Sequence, residues 1–268
     1  MDNVIMPEIN IKINRFDRKS TNFEMNDYST IKNVFFDIDN TITESILGYS
    51  TVGYFEYVMA GMLCRLKNMS FATALEKVLE TEAEYPFHDP FSASEALTIP
   101  VDSYQNELAA FQDKYLRVFE DAVELVKTLK KAGVSLFVTS NNSYRRAYAA
   151  LHGAGLSGWN DSEYFTGVFS PENTGFNKSD IRFYKQVITS GAFDPREMLV
   201  IGDNMTDDYR TPLAAGIKHA VIIDRRYPNK PETAHSVNDL RHLAKKFHNP
   251  VKKNEKQSLF CEEATFAE

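Results

Sequence analysis

Polar residues with chemical potential gather just after three short apolar runs. Asn33-Val34-Phe35-Phe36 leads into Asp37-Ile38-Asp39-Asn40-Thr41, and Met198-Leu199-Val200-Ile201 leads into Gly202-Asp203, with Asp207 and Asp208 close behind. Val134-Ser135-Leu136-Phe137-Val138 ends on Thr139-Ser140-Asn141-Asn142. A lone Asp at a strand end commonly caps the following helix. Several carboxylates drawn together are different, because like charges at close range raise one another's pKa. A hard divalent cation with oxygen ligands relieves that repulsion, and Mg²⁺ takes one or two carboxylates while keeping waters for a substrate phosphate. The chemistry therefore depends on whether these ends converge.

The intervening elements predict that they do. The runs are of buried-strand length and dominated by β-branched and aromatic residues, and a fourth, Ala220-Val221-Ile222-Ile223, ends at Asp224-Arg225. Between them, Asp121 to Lys131 places Val123, Val126 and Leu129 on one helical face, with Gly133 as its stop. Tyr144–Leu151, Ser179–Thr189 and Asp207–Ala215 also read as helices. Strand–helix alternation implies a parallel sheet covered on both faces, in which ligands bind outside the carboxyl ends of the strands.

At Asp37-Ile38-Asp39-Asn40-Thr41 the chain resembles the first motif, Asp-x-Asp-x-Thr, of the haloacid dehalogenase (HAD) superfamily. The other motifs follow in family order: Gly133 to Asn141, a strand ending in Ser or Thr; Asn177-Lys178-Ser179-Asp180, a Lys near a helix start; and Gly202-Asp203 with a second acid behind. The resemblance spans about residues 32–224 and implies an α/β fold, a Rossmann-like parallel-sheet core with an inserted α-helical cap domain. It implies a Mg²⁺-dependent phosphatase in which Asp37 is the nucleophile and Asp39 the general acid and base. Mg²⁺ would be held by Asp37, the backbone carbonyl of Asp39, Asp203 and Asp208. Lys178 would offset charge, Ser140 and the Asn141 backbone N–H would bind the phosphate, and Thr41 would brace the nucleophile's loop and serve substrate binding.

Two positions have neighbouring alternatives. Ser140 is preferred to Thr139 because adjacent strand residues face opposite ways and the interval from Gly133 matches the family. Asp208 fits the Gly-Asp-x-x-x-x-Asp form, leaving Asp207 as a supporting group. The presence of Asp39 disfavours dehalogenation, in which a halide leaves without needing a proton. The superfamily's transporting ATPases carry Asp-Lys-Thr-Gly-Thr, absent here. A phosphomutase or phosphotransferase, and a non-catalytic protein that binds phosphorylated ligands or a partner, remain alternatives that would keep the same residues.

About 75 residues separate the first motif from the helix before the second, far more than a crossover needs. Thr51–Asn68, Ser70–Ala83 and Asp102–Phe119 read as helices, Ser70 being a good cap. The expected division is an extension at 1–30, a core at 31–43 and 119–248, a cap at 44–118 and a tail at 249–268. Ile9-Asn10-Ile11-Lys12-Ile13 shows a weak strand-like alternation. On the insert, Tyr54, Tyr57, Arg65 and Lys67 share the first helix, Met59, Met62 and Met69 read as packing residues, and Pro86-Phe87-His88-Asp89-Pro90 reads as a turn. A cap that closes over the site favours a small phosphorylated substrate.

The 268-residue chain is 43% hydrophobic and 25% charged, a globular balance, and its formal net charge of −7 disfavours nucleic acid and anionic membrane as main partners. No apolar run approaches the ~20 residues of a membrane span and no signal pattern opens the chain, so a cytoplasmic location is expected. Two cysteines, Cys64 and Cys261, make neither a disulfide framework nor a zinc cluster, and the six histidines lack metal-ligand spacing. Gly153-Ala154-Gly155-Leu156-Ser157-Gly158 matches a dinucleotide fingerprint but follows a helix, so it reads as a helix stop. Asn-x-Ser/Thr triplets such as Asn204-Met205-Thr206 overlie the proposed motifs, where a glycan would block the site. Nothing in the sequence fixes an oligomeric state.

Overall fold

Six parallel strands form one sheet among the residues that the computed structural model describes, which are 28–44, 52–85, 89–225 and 235–247. In chain order they are β1 (Asn33–Phe36), β2 (Ser135–Thr139), β3 (Gly167–Phe169), β4 (Met198–Gly202), β5 (His219–Ile223) and β6 (Ser236–Val237). The spatial order is β3-β2-β1-β4-β5-β6, so β1 lies inside the sheet with β2 and β4 as neighbours. Its continuous apolar run suits that place, since a strand covered on both faces has no use for polar alternation. Val34 and Phe36 enter the larger core on one face, and Phe35 enters the other. There Phe35 stacks on Phe137 with ring centroids 5.1 Å apart and meets Phe193 edge-on at 5.3 Å.

The register sets the site. Phe36 pairs with Val138 on one side and Ile201 on the other. Asp37, Thr139 and Gly202 are therefore level at the carboxyl ends of three adjacent strands. The order of connections reverses between β1 and β4, the topological switch point where open α/β sheets bind ligands.

Among the described residues, four helices fall between Glu44 and Arg117, ahead of the helix that leads into β2: α1 (Tyr54–Lys67), α2 (Phe71–Ala83), α3 (Pro90–Ala96) and α4 (Val101–Tyr115). They pack on one another, with Met59 and Met62 buried and Met69 against the same core. Ser70 caps α2, its Oγ accepting from the Thr73 N–H at 3.2 Å. Asp89 caps α3 by accepting from the Phe91 and Ser92 N–H groups, with Pro90 in the first turn where its missing N–H costs nothing. His88 lies outside the described residues, as do Ile9–Ile13 and the tail.

The helix expected over Asp102–Phe119 stops earlier, at Tyr115. The Phe119 N–H donates to the Ile42 carbonyl, the Glu44 N–H donates to the Arg117 carbonyl, and Val118 bridges antiparallel to Thr43. Backbone groups committed to that pairing are lost to helix continuation. The segments leaving β1 and returning to the sheet thus run side by side.

The remaining helices are α5 (Glu120–Lys131), α6 (Tyr144–Gly153), α7 (Pro171–Thr174), α8 (Ile181–Ser190), α9 (Thr211–Ala215) and α10 (Arg241–Ala244). Gly133 and Gly155 have φ of 78° and 67°, the left-handed backbone of a helix exit, which gives the glycine-rich 153–158 stretch its role as a stop. The helix expected from Asp207 is interrupted: Met205–Arg210 is π-helical and the α-helical turn begins only at Thr211. No described helix is long and apolar enough to cross a membrane.

Candidate active site

Asp37 follows β1 directly, and its N–H donates to the Ile201 carbonyl on β4, which holds the strand end flush with its neighbour. Both carboxylate oxygens are engaged. Oδ1 meets the Lys178 Nζ at 2.6 Å and Oδ2 accepts from the Thr41 Oγ1 at 3.1 Å. Thr41 is fully buried, so its hydroxyl braces Asp37 from behind. Burial pushes the Asp37 carboxyl well above its ordinary range, with Lys178 pulling it back and Asp208 adding to the rise.

Lys178 lies three residues before α8 and is only 2% exposed. Its ammonium group pairs with Asp208 at 2.6 Å as well as Asp37, and donates to the Thr139 carbonyl at 3.2 Å. Burial lowers its pKa, but Asp208 and Asp37 raise it further, so it stays charged. Asn141 places the lysine loop, its Oδ1 accepting from the Lys178 N–H at 2.7 Å, while its Nδ2 donates to Asp207 at 2.9 Å.

Asp203 and Asp208 come from the β4 end and the π-helical turn behind it. Carboxylate oxygens of Asp37, Asp203 and Asp208 lie within 4.8 Å of one another, a spacing that suits a small cation. Asp208 is fully buried, and its Oδ2 accepts from the Asn204 N–H at 3.0 Å. A Cβ at Gly202 would collide with the Asp208 carboxylate, so the glycine lets this acid fold back over the strand end. The adjacent Asp207 points elsewhere, to Asn141.

Ser140 is buried at the end of β2, its Oγ accepting from the Asn142 N–H at 3.1 Å. Asp39 is not among the three clustered acids, though its charge adds to the rise at Asp37, and it is half-buried. Burial raises its pKa, while Arg146 and the hydrogen bond from Asn142 lower it. The Asn142 Nδ2 donates to Asp39 Oδ2 at 2.8 Å. Neither Asn142 nor Arg146 is given a role by the sequence, although Asn142 closes the polar run after β2. Asn142 follows a recognised motif by one residue, whereas Arg146 has no local signal at all.

Arg146 belongs to a seam between α6 and the helices α1 and α2. Its Nη1 lies 2.8 Å from both Glu56 Oε1 and Glu82 Oε1, and its guanidinium stacks over Phe55 at 4.5 Å. Beside it, Arg145 pairs with Asp89 at 3.1 Å. Arg65 instead meets Glu107 across exposed surface, and Tyr54, unlike Tyr57, is buried.

A family model for haloacid dehalogenase-like hydrolases matches residues 31–216, which hold all of these groups. The chain is a haloacid dehalogenase-like hydrolase. Among curated relatives of this family, the HAD-hydrolase YfnB of Bacillus subtilis is 26% identical over 153 residues, 54% of this chain and 62% of YfnB. A phosphoserine phosphatase of Thermus thermophilus is 27% identical over 129 residues, 47% of this chain and 49% of that protein. The chain thus spans about half the length of these HAD relatives. In fold it resembles a HAD phosphatase from Thermococcus onnurineus, with a TM-score of 0.57 at 21% identity over 82% of this chain and 99% of that one. Magnesium-bound YfnB gives a TM-score of 0.51 at 18% identity, covering 81% and 99%.

Proposed function

We propose that this HAD-like hydrolase is a Mg²⁺-dependent phosphatase of small phosphorylated metabolites that works through an aspartyl-phosphate. One observation carries the reading: three carboxylates from two adjacent strand ends lie within 4.8 Å of one another, with a buried lysine against two of them. The donors are all hard oxygens, which fits Mg²⁺. Asp37, Asp203, Asp208 and the Asp39 carbonyl would hold the ion, which supplies electrostatic stabilisation of the phosphoryl oxygens.

Asp37 attacks phosphorus in line, so that an Asp37–phosphorus bond forms as the bond to the substrate oxygen breaks. Asp39 gives its proton to that departing oxygen. It then takes a proton from the water that attacks phosphorus and frees Asp37. Lys178 balances the charge on Asp37 and the phosphoryl oxygens, while Ser140 and the Asn141 N–H take up the latter. Residues 44–118 act as a cap over a core made of 31–43 and 119–248.

The test is phosphate release from p-nitrophenyl phosphate and a panel of small esters, with Mg²⁺ or with EDTA. Wild type should turn over only with the metal. Asp37→Asn should lose about 10³-fold or more, since the nucleophile is removed outright. Activity surviving in that variant would overturn the mechanism.

A further inference from the structure

A carboxyl group that gives a proton in one step and takes one in the next has two oxygens, and one of them must face the departing oxygen. Among the described residues, the side chain that hydrogen-bonds the Asp39 carboxylate is Asn142, through Nδ2 to Oδ2. An amide N–H donates most strongly to an ionised carboxylate, and still donates to the carbonyl oxygen of a protonated one. While Asn142 occupies Oδ2, the proton belongs on Oδ1.

Asn142 is itself fixed from two sides. Its own N–H is tied to Ser140 Oγ, and the next residue, Ser143, caps α6 by accepting from the Arg146 N–H at 3.2 Å. Asp39 is held from its own loop: Asn40 takes the left-handed conformation at φ 58° and its N–H donates to the Thr43 carbonyl at 2.6 Å. The two backbones are therefore set before the side chains meet, and the Asn142–Asp39 bond joins the β2 end to the β1 loop.

Resting on the phosphatase reading, we propose that Asn142 is a positioning residue, which fixes the plane of the Asp39 carboxyl group and keeps its transferable proton on Oδ1. In the first step the Oδ1–H bond breaks as the leaving oxygen gains the proton. In the second, Oδ1 gains a proton from the attacking water. Asn142 is unchanged throughout, so its importance should scale with how much the leaving oxygen needs a proton. An alkoxide needs one; a dinitrophenolate does not.

The experiment measures kcat/KM, which covers the chemistry up to departure of the first product. Wild type, Asn142→Ala, Asn142→Asp, Asp39→Asn and the Asp39→Asn/Asn142→Ala pair are compared in Mg²⁺. The substrates are 2,4-dinitrophenyl phosphate and the alkyl monophosphate that wild type hydrolyses fastest. Asn142→Ala should lose at least about tenfold more on the alkyl ester than on the activated one, within the range of general acid catalysis. Asn142→Asp keeps the shape but loses the donor, and should show the same selectivity. In the Asp39→Asn background, adding Asn142→Ala should change the alkyl rate by less than about threefold, because the two residues act as a unit.

Equal losses on both esters, or additive losses in the double variant, would overturn the positioning role while leaving the phosphatase reading intact. A wild type inert toward the activated ester would overturn the phosphatase reading and the positioning role with it.

Discussion

Lys178 illustrates what a single side chain carries here. It is buried between Asp37 and Asp208 at 2.6 Å from each, so removing it leaves two acids in a low-dielectric pocket without their cation. Breaking such a buried pair costs about 3–5 kcal/mol. Lys178→Met should therefore melt well below wild type without metal. A cation that binds only the folded state should restore part of the loss. Mg²⁺ is expected to raise the melting temperature of Lys178→Met by more than that of wild type, as read by differential scanning calorimetry; equal shifts would mean that the lysine and the metal do not share a charge. At this scale an apolar run that ends in polar residues draws attention to Asp37 and Asp203, and a lysine just before a helix start draws it to Lys178. Choosing Asp208 over Asp207 needed only a spacing, and the structure turns the two acids toward different partners. The partners of Asn142 and Arg146 were illegible because they lie 103 and 64 residues away, across contacts that exist only once the sheet and helices have assembled.

At the scale of elements, long runs with one strong period were readable and short ones were not. β1, β2, β4 and β5, together with α1, α2, α5 and α6, were expected within a few residues of where they stand. β3 has three residues and β6 two, too few to show a period, and each exists because a neighbouring strand edge offers hydrogen bonds. α3 was hidden for a related reason: its seven residues begin at the Asp89–Pro90 pair, which reads equally well as a turn. The π-helical turn at Met205–Arg210 is a further departure, of a kind concentrated at functional sites, and Asp208 sits within it. Caps, by contrast, are local and were legible. Ser70→Ala should destabilise the fold by about 1 kcal/mol, measured by urea unfolding, since the Thr73 N–H loses its acceptor. The same variant should leave kcat unchanged because α2 begins far from the clustered acids in sequence and contributes none of them.

Over the whole molecule, the seam between the inserted helices and the sheet domain carries a pH dependence. Burial pushes the Glu82 carboxyl from 4.5 up to about 8, with Arg146 opposing and Glu56 adding to the rise. The sign follows from linkage: the folded protein holds a proton that the unfolded chain releases. Stability from this group is therefore fully present below about 4.5 and is lost as pH climbs toward about 8. Glu56 is shifted the other way: burial raises its pKa, but Arg146 and its hydrogen bonds outweigh that and leave it lowered, so its contribution fades on acidification. Urea unfolding of wild type should show falling stability between pH 6 and 8.5, and Glu82→Gln should flatten that fall. An unchanged slope in the variant would mean that Glu82 is ionised throughout.

The pairing of Thr43 with Val118 has a consequence for how such a chain can change over evolutionary time. The four inserted helices hang from two segments that lie side by side, so the sheet experiences the whole excursion as a closed loop of nearly zero span. Loop-closure entropy grows only slowly with length, by about 0.6 kcal/mol per doubling. Lineages can lengthen, shorten or exchange that excursion while the strand register, and with it the level row of Asp37, Thr139 and Gly202, stays as it is. The inserted helices and the clustered strand-end acids are thereby left free to diverge at different rates.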